Sequence, residues 1–253
     1  MRIEGSVVLV TGGASGMGRA SAQEFSRAGA CIVLFDIDEQ AAEKTARDIG
    51  PDVLPMGVDV SDHDAVSRAF KAIERELGTV NVCVNCAGVA TSGKVVSSDG
   101  ALPLADFRRA IEVNLIGTFD VMRQSAALMV GNEPDREGER GVIINVSSVA
   151  ALQGQRGHVA YSASKAGVIG LTLPAARDLA DHGIRVLTIA PGIFRTGMHA
   201  GLPEKITSRM ESLTLYPHRA GDPAEFASLT RHVVENRYLN AATLPLDAGI
   251  RLI

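Results

Sequence analysis

Hydrophobic and polar positions alternate in a way that predicts strands and helices in turn along most of the chain. Ser6 to Val10 is a short apolar run, a glycine cluster follows, and Met17 to Arg27 carries apolar residues at helical spacing. The same handover recurs. Strands are predicted at Cys31 to Phe35, Val53 to Val58 and Val80 to Val84, with helices at Glu39 to Ile49 and Ala65 to Leu77 between and after them. One long helical pattern covers Leu104 to Val130, and a strand at Val142 to Val146 follows. A helix at Val159 to Ala180, a strand at Ile184 to Ile189, a helix at Pro223 to Val234 and a last strand at Thr243 to Leu246 complete the series. Strands separated by helices require right-handed crossovers, so the expected architecture is α/β, a doubly wound parallel sheet of Rossmann type with helices on both faces.

Two segments break the alternation. Gly131 to Arg140 (GNEPDREGER) is polar throughout and is expected to be an exposed loop. Residues 194–219 are too long for a plain connection and are expected to form a substrate lid. No repeat or low-complexity tract marks a linker, so residues 1–253 are expected to form a single domain.

Composition narrows the class of partner. Acids and bases are mixed along a chain of net charge -4, and no basic block could track a phosphate backbone, so nucleic acid is not an expected partner. No apolar run reaches the roughly 18 residues of a membrane span, so no membrane partner is expected. Cys31, Cys83 and Cys86 lie in apolar, strand-like segments without the spacing of a disulfide framework, which suits a reducing cytoplasm. Cys83 and Cys86 form a CxxC, but no further Cys or His partners stand at suitable spacing; buried thiols are expected, and no metal.

Thr11 to Gly18 (TGGASGMG) lies where the first strand hands over to the first helix. Glycine lets the backbone turn sharply there, and lets a pyrophosphate approach the helix N-terminus, where free N–H groups and the dipole attract negative charge. Gly12, Gly16 and Gly18 are the candidates for those roles. Asp36 ends the second strand, 18 residues past Gly18, where a carboxylate can accept hydrogen bonds from ribose hydroxyls and repel a 2′-phosphate. Ser15 and Ile37, the positions where a phosphate-binding cation could stand, are uncharged, so NAD is expected rather than NADP.

Tyr161 and Lys165 are four apart in a helical segment and project from one face. An ammonium beside a phenol favours phenolate, so this pair is expected to bring Tyr161 toward acid/base use near neutral pH. Ser148, thirteen residues before Tyr161 and just after a strand, can hold a substrate oxygen.

With these residues in place the sequence resembles the short-chain dehydrogenase/reductases, end to end. Besides the glycine turn it has Asp59-Val60, Asn85-Cys-Ala-Gly88, Asn114, Ser147-Ser148, Tyr-Ser-Ala-Ser-Lys165 and Pro191-Gly192. The resemblance implies a tetrad of Asn114, Ser148, Tyr161 and Lys165, with Asn114 anchoring a water that links Lys165 to solvent. It implies cofactor contacts from Gly12, Ser15, Gly16, Met17, Gly18, Asp36 and Ile37, and from Asp59 and Val60 at the adenine. Further contacts are implied at Asn85, Ala87, Gly88, Tyr161, Lys165, Pro191, Gly192, Ile193 and Thr196. Asn85 is expected to steady the turn near the nucleotide. Cys86 departs from the family's Asn-Asn-Ala-Gly pattern, so that asparagine's role is not carried over.

Within the family, several less common stretches resemble the type 2 3-hydroxyacyl-CoA dehydrogenases: Asn132 to Asp135, Gly141 to Asn145, Thr172 to Leu179 with its mid-helix Pro174, Leu202 to Lys205 and Gly221 to Glu225. That resemblance implies NAD-linked interconversion of (S)-3-hydroxyacyl-CoA and 3-oxoacyl-CoA by a homotetramer. Ser148, Gln155 and Tyr161 are the expected substrate contacts, and Lys205 is a candidate for CoA phosphates. Two alternatives stay open: a steroid or general secondary-alcohol dehydrogenase or carbonyl reductase with the same tetrad, and a nucleotide-binding scaffold that keeps the fold without the chemistry.

Overall fold

The structure, a computed structural model, describes residues 1–196, 208 and 211–252. Seven strands form one parallel sheet: β1 (Val7–Thr11), β2 (Cys31–Asp36), β3 (Val53–Gly57), β4 (Val82–Asn85), β7 (Gly141–Val146), β8 (Ile184–Pro191) and β9 (Thr243–Leu246). Their order is β3-β2-β1-β4-β7-β8-β9. The chain winds outward from β1 to β3, then returns to β4 on the other side of β1. The switch point therefore lies between β1 and β4, where open parallel sheets leave a ligand crevice at the carboxyl ends of the strands.

Alternate strand residues feed two cores, one on each face of the sheet. Leu9, Val33, Phe35, Cys83, Ile143 and Val186 pack with α3 (His63–Leu77), α5 (Thr118–Val130) and α7 (Val159–Ala180). Val8, Val10, Ile32, Leu34, Val84, Ile144 and Leu187 pack with α1 (Gly16–Arg27), α2 (Glu39–Ile49) and α8 (Pro223–Glu235). Central strands buried on both faces explain why they read as continuous apolar runs rather than strict alternation. Helix starts are set by side-chain caps: Asp38, Asp62 and Asp222 each accept backbone N–H bonds, and Asp222 with Glu225 completes a capping box.

Three features depart from the sequence pattern. The long helix predicted from Leu104 to Val130 is α4 (Leu104–Ile111) and α5 joined through a π-helical segment, Glu112–Gly117. A two-stranded hairpin, β5 (Val96–Ser97) with β6 (Gly100–Ala101), precedes α4, and a single turn, α6 (Ala150–Gln153), follows β7. The polar stretch 131–140 is not a plain exposed loop. Asn132 Nδ2 donates to the carbonyls of Val80 and Arg140, and buried Glu139 accepts from the equally buried Arg185 at 2.6 Å. Arg185 in turn donates to the carbonyls of Val233, Val234 and Leu239, so the polar run closes the C-terminal end of α8 onto the sheet.

Candidate active site

The glycine turn occupies the switch point. Gly12 takes φ +62, a left-handed conformation, and a Cβ on Gly18 would lie 2.2 Å from the Gly12 carbonyl oxygen. Only glycine at position 18 lets the first turn of α1 pass this close to the end of β1. Ser15, the N-cap of α1, makes no side-chain cap, which leaves the first backbone N–H groups of the helix directed to whatever occupies the crevice. Asp36 is braced at the end of β2: its Oδ2 accepts from Ala14 N at 3.0 Å and its Oδ1 from Asp38 N at 3.1 Å. Each carboxylate oxygen keeps a further lone pair for a ligand.

A cleft of about 270 Å³ opens here. Its wall contains Gly12, Ser15, Gly16, Met17, Gly18, Asp36, Ile37, Asp59, Val60, Ala87, Gly88 and Thr196, all named from the sequence. Val58, Cys86, Val89, Arg109 and Val113 complete the lining, and motif reasoning missed them. Buried Val58, Val60 and Val113 make an apolar slot. Asp59 already accepts from Ser61 N and Oγ through one oxygen, Oδ1. Asn85 stands elsewhere. It is 2% exposed, donates to Asn145 Oδ1 at 2.9 Å across the β4–β7 pair, and so ties strand ends together behind the cleft rather than lining it.

A second cleft, about 170 Å³, lies beyond the ends of β7 and β8. Ser148, Gln155, Tyr161, Lys165, Pro191, Gly192 and Ile193 line it, together with His158, Leu213 and Leu252. The two clefts share Met17, Cys86, Gly88 and Thr196, so a ligand can run from one into the other. Ser147 does not act as the second hydroxyl of the site. Its Oγ donates to the Lys165 carbonyl at 2.7 Å and fixes α7 against β7.

Asn114 lines neither cleft. It sits in the π-helical segment, accepts from Val89 N at 2.8 Å, and donates to Val89 O and Ser164 Oγ, each at 3.0 Å. Its side chain thereby holds the loop after β4 against α7, one turn from Tyr161, whose carbonyl accepts from Ser164 Oγ at 2.7 Å. Thr118 Oγ1 donates to the Asn114 carbonyl at 2.8 Å.

The electrostatics of the Tyr161–Lys165 pair differ from expectation. Burial pushes the Tyr161 phenol above its ordinary value, with the neighbouring Ser148 hydroxyl pulling the other way. Lys165, 4% exposed, is itself pushed down to about 8 by burial. Its Nζ donates to Val146 O at 2.8 Å and lies 5.9 Å from the Tyr161 ring centroid. Desolvation is the larger influence on the phenol, and the opposing one comes from the Ser148 hydroxyl rather than from the ammonium. Burial likewise pushes Cys83 and Cys86 up to about 12, so neither thiol is a ready nucleophile, and all three cysteines are free. Among the described residues no cluster of three or more His, Cys, Asp or Glu could hold a metal, and no helix is long and apolar enough to cross a membrane.

Of the expected lid, the ends are described. Phe194 pairs with Gly221 and packs edge-on against Phe226 at 6.3 Å, and Leu213 reaches the second cleft. Residues 197–207, 209 and 210, with Lys205 among them, lie outside the described residues.

The model of the short chain dehydrogenase family matches residues 6–207. The 3-hydroxyacyl-CoA dehydrogenase type-2 of Drosophila melanogaster is 45% identical over 253 residues, 99% of each chain. Its counterpart in Bos taurus is 46% identical over 252 residues, 99% of this chain and 97% of the other. The crystal structure of 3-hydroxyacyl-CoA dehydrogenase type-2 from Mycobacterium avium superposes with a TM-score of 0.93 at 33% identity, covering 100% of this chain and 98% of that one. The chain belongs to the short-chain dehydrogenase family of oxidoreductases.

Proposed function

We propose that the chain interconverts 3-hydroxyacyl-CoA and 3-oxoacyl-CoA thioesters with NAD as the hydride carrier. The observation that carries this is the convergence of Ser148, Gln155, Tyr161 and Lys165 on a cleft that shares four residues with the nucleotide cleft. The activity of the Drosophila and bovine relatives, as their names give it, supplies the substrate class.

Family membership implies a nicotinamide dinucleotide, and the residues present fit one. The close Gly12–Gly18 contact sets the start of α1 at the end of β1, α1 presents free N–H groups, and the valine slot suits an adenine. Asp36 would hold the adenosine ribose, and with uncharged Ser15 and Ile37 beside it supports NAD over NADP. Arg109 also lines the cleft, one helical turn from Val113 on the adenine side. When bound, the nicotinamide gives or takes the hydride and, oxidised, brings a positive charge.

Ser148 holds the substrate oxygen, and Tyr161 Oη donates its proton to that oxygen in reduction and takes it back in oxidation. Burial holds the proton on the phenol, which is the form that can donate to the substrate oxygen. Lys165 stands behind the phenol, oriented by the Val146 carbonyl. Asn114 acts at one remove, by fixing Val89 and Ser164 around the pair. We assign the chain to a homotetramer on the same family likeness, supported by Ile116 and Phe119, which stay 53% and 48% exposed on its long helices.

The test is one panel: acetoacetyl-CoA, a steroid ketone and simple ketones, each with NADH and NADPH. The expected result is a kcat/KM for acetoacetyl-CoA with NADH about a hundredfold above the other carbonyls and about tenfold above NADPH. Turnover of free ketones or steroid alone overturns the substrate, and an equal rate with NADPH overturns the cofactor.

A further inference from the structure

We infer that His158 is a substrate-specificity residue, whose imidazole Nε2 accepts a hydrogen bond from the amide N–H that follows the thioester in a pantetheine-bearing substrate. The inference rests on the acyl-thioester activity proposed above and extends it to a residue outside the tetrad.

Four observations place it. His158 lines the same cleft as Ser148, Gln155 and Tyr161. It is the N-cap of α7, so Tyr161 follows it by less than one turn, and the two rings meet edge to face at 6.4 Å and 74°. Its Nδ1 lies 3.3 Å from the Arg156 carbonyl, an acceptor only, so Nδ1 is the nitrogen that donates, and in that tautomer Nε2 presents a lone pair. That Nε2 has no partner among the described residues.

Backbone bonds hold the residue in place. His158 N donates to Gln155 O at 3.1 Å, Ser162 N donates to His158 O at 2.7 Å, and Gly93 pairs with His158 while its own N donates to Gly157 O at 2.7 Å. The backbone that carries the imidazole is thus anchored from α7, from the Gln155 loop and from the segment that leads to the β5–β6 hairpin, and the Arg156 carbonyl orients the ring at the wall of the site. A preorganised acceptor costs little entropy when a donor meets it.

A 3-oxoacyl thioester of pantetheine offers few donors. Its ketone and thioester oxygens accept, and both suit Tyr161, Ser148 and the Gln155 amide. The first N–H along the chain lies a few bonds beyond the sulfur, on the side away from the acyl tail. With the ketone at Tyr161, an acceptor one ring away from the phenol matches that N–H. A simple ketone has nothing to offer it, so His158 separates pantetheine thioesters from other carbonyls without touching the reacting carbon.

The experiment compares two small thioesters that lack the CoA nucleotide: S-acetoacetyl-N-acetylcysteamine, which keeps the amide N–H, and S-propyl acetothioacetate, which lacks it. Wild type is expected to favour the first in kcat/KM by about fivefold, as one net hydrogen bond of about 1 kcal/mol gives. His158→Phe keeps a ring against Tyr161 and removes the acceptor, and is expected to bring the ratio between the two thioesters to about one through KM, whatever it does to the rate on both. His158→Gln, which restores an acceptor oxygen, is expected to recover part of the preference. A preference that survives in His158→Phe overturns the inference while leaving the thioester activity standing. A wild-type enzyme that turns over neither thioester but reduces free ketones overturns both.

Discussion

Lys165 shows at the scale of one residue how a site can cost the fold that carries it. Burial depresses the ammonium from its ordinary 10.5 to about 8. Below pH 8 the folded and unfolded chains both hold the proton, and the full cost of burying the charge falls on the folded state. Between pH 8 and 10.5 the folded chain gives up its proton first, the unfolded chain binds more protons, and stability rises with pH; above 10.5 both are neutral and the cost is gone. Lys165→Met keeps an unbranched side chain and removes the charge. It is expected to stabilise the protein at pH 7 by up to about 3 kcal/mol, less the hydrogen bond to Val146 O, and the advantage should shrink by pH 10.5. Urea unfolding of both proteins at the two pH values reads the difference, and a gap that stays constant or widens at high pH would show that the charge is not its source. Loss of turnover in the same variant would complete the case that a destabilising lysine is kept for chemistry.

At the scale of elements, the first strand, turn and helix act as one unit, because Gly18 must approach Gly12 more closely than any side chain permits. Gly18→Ala would force its Cβ to 2.2 Å from the Gly12 carbonyl oxygen, so the turn must open. The expected outcome is a loss of about 1–3 kcal/mol in stability, as overpacking typically costs, with NADH binding weakened by about tenfold or more because the N–H groups of α1 no longer converge. Fluorescence titration with NADH and a thermal melt measure both, and wild-type binding in the variant would show that the close approach is dispensable.

This unit was legible in the sequence because strand, glycine cluster and helix are contiguous, and Tyr161 with Lys165 because they share one helix. The crossovers were legible for the same reason, since each apolar run is long enough to carry a period. The π-helical segment at Asn114 was not, because periodicity over 27 residues averages out a local change of pitch. The two-residue strands β5 and β6 are too short to show any period. Within the site, Val58, Cys86, Arg109, Val113 and His158 converge from separate elements, and no local spacing announces a convergence made by the fold. Asn85 is the opposite case: it belongs to a motif beside the cleft, and its side chain turns toward Asn145 and the interior, where it can steady the strand ends but does not line the cleft. The nearness of Lys165 to Tyr161 was legible as spacing, whereas the desolvation that raises the phenol depends on burial that spacing does not contain.

The whole molecule leaves apolar surface where a lone chain has no use for it. Ile116 and Phe119 lie within one turn of each other where the π-helical segment passes into α5, and Leu104 on α4 is 61% exposed. Single exposed apolar residues are ordinary, and what links these three to the proposed tetramer is that they stand on one pair of joined helices. If that surface meets its own copy about a two-fold axis, every residue in it is used twice, so one substitution acts twice per interface. Burying a phenylalanine side chain contributes about 1.5–3 kcal/mol, and an aspartate at its place adds the cost of desolvating a charge. About half of Phe119 is already covered in the single chain, so Phe119→Asp is expected to lose about 1.5–3 kcal/mol of apolar burial per two-fold contact before the cost of the charge is added, about tenfold or more in association. The proposed tetramer should then fall to smaller species at micromolar concentration, while the circular dichroism stays that of wild type because Phe119 is already half exposed in the single chain. Light scattering coupled to gel filtration measures the mass directly. Four chain masses in both proteins would place the interface elsewhere, and one chain mass in wild type would remove the tetramer altogether.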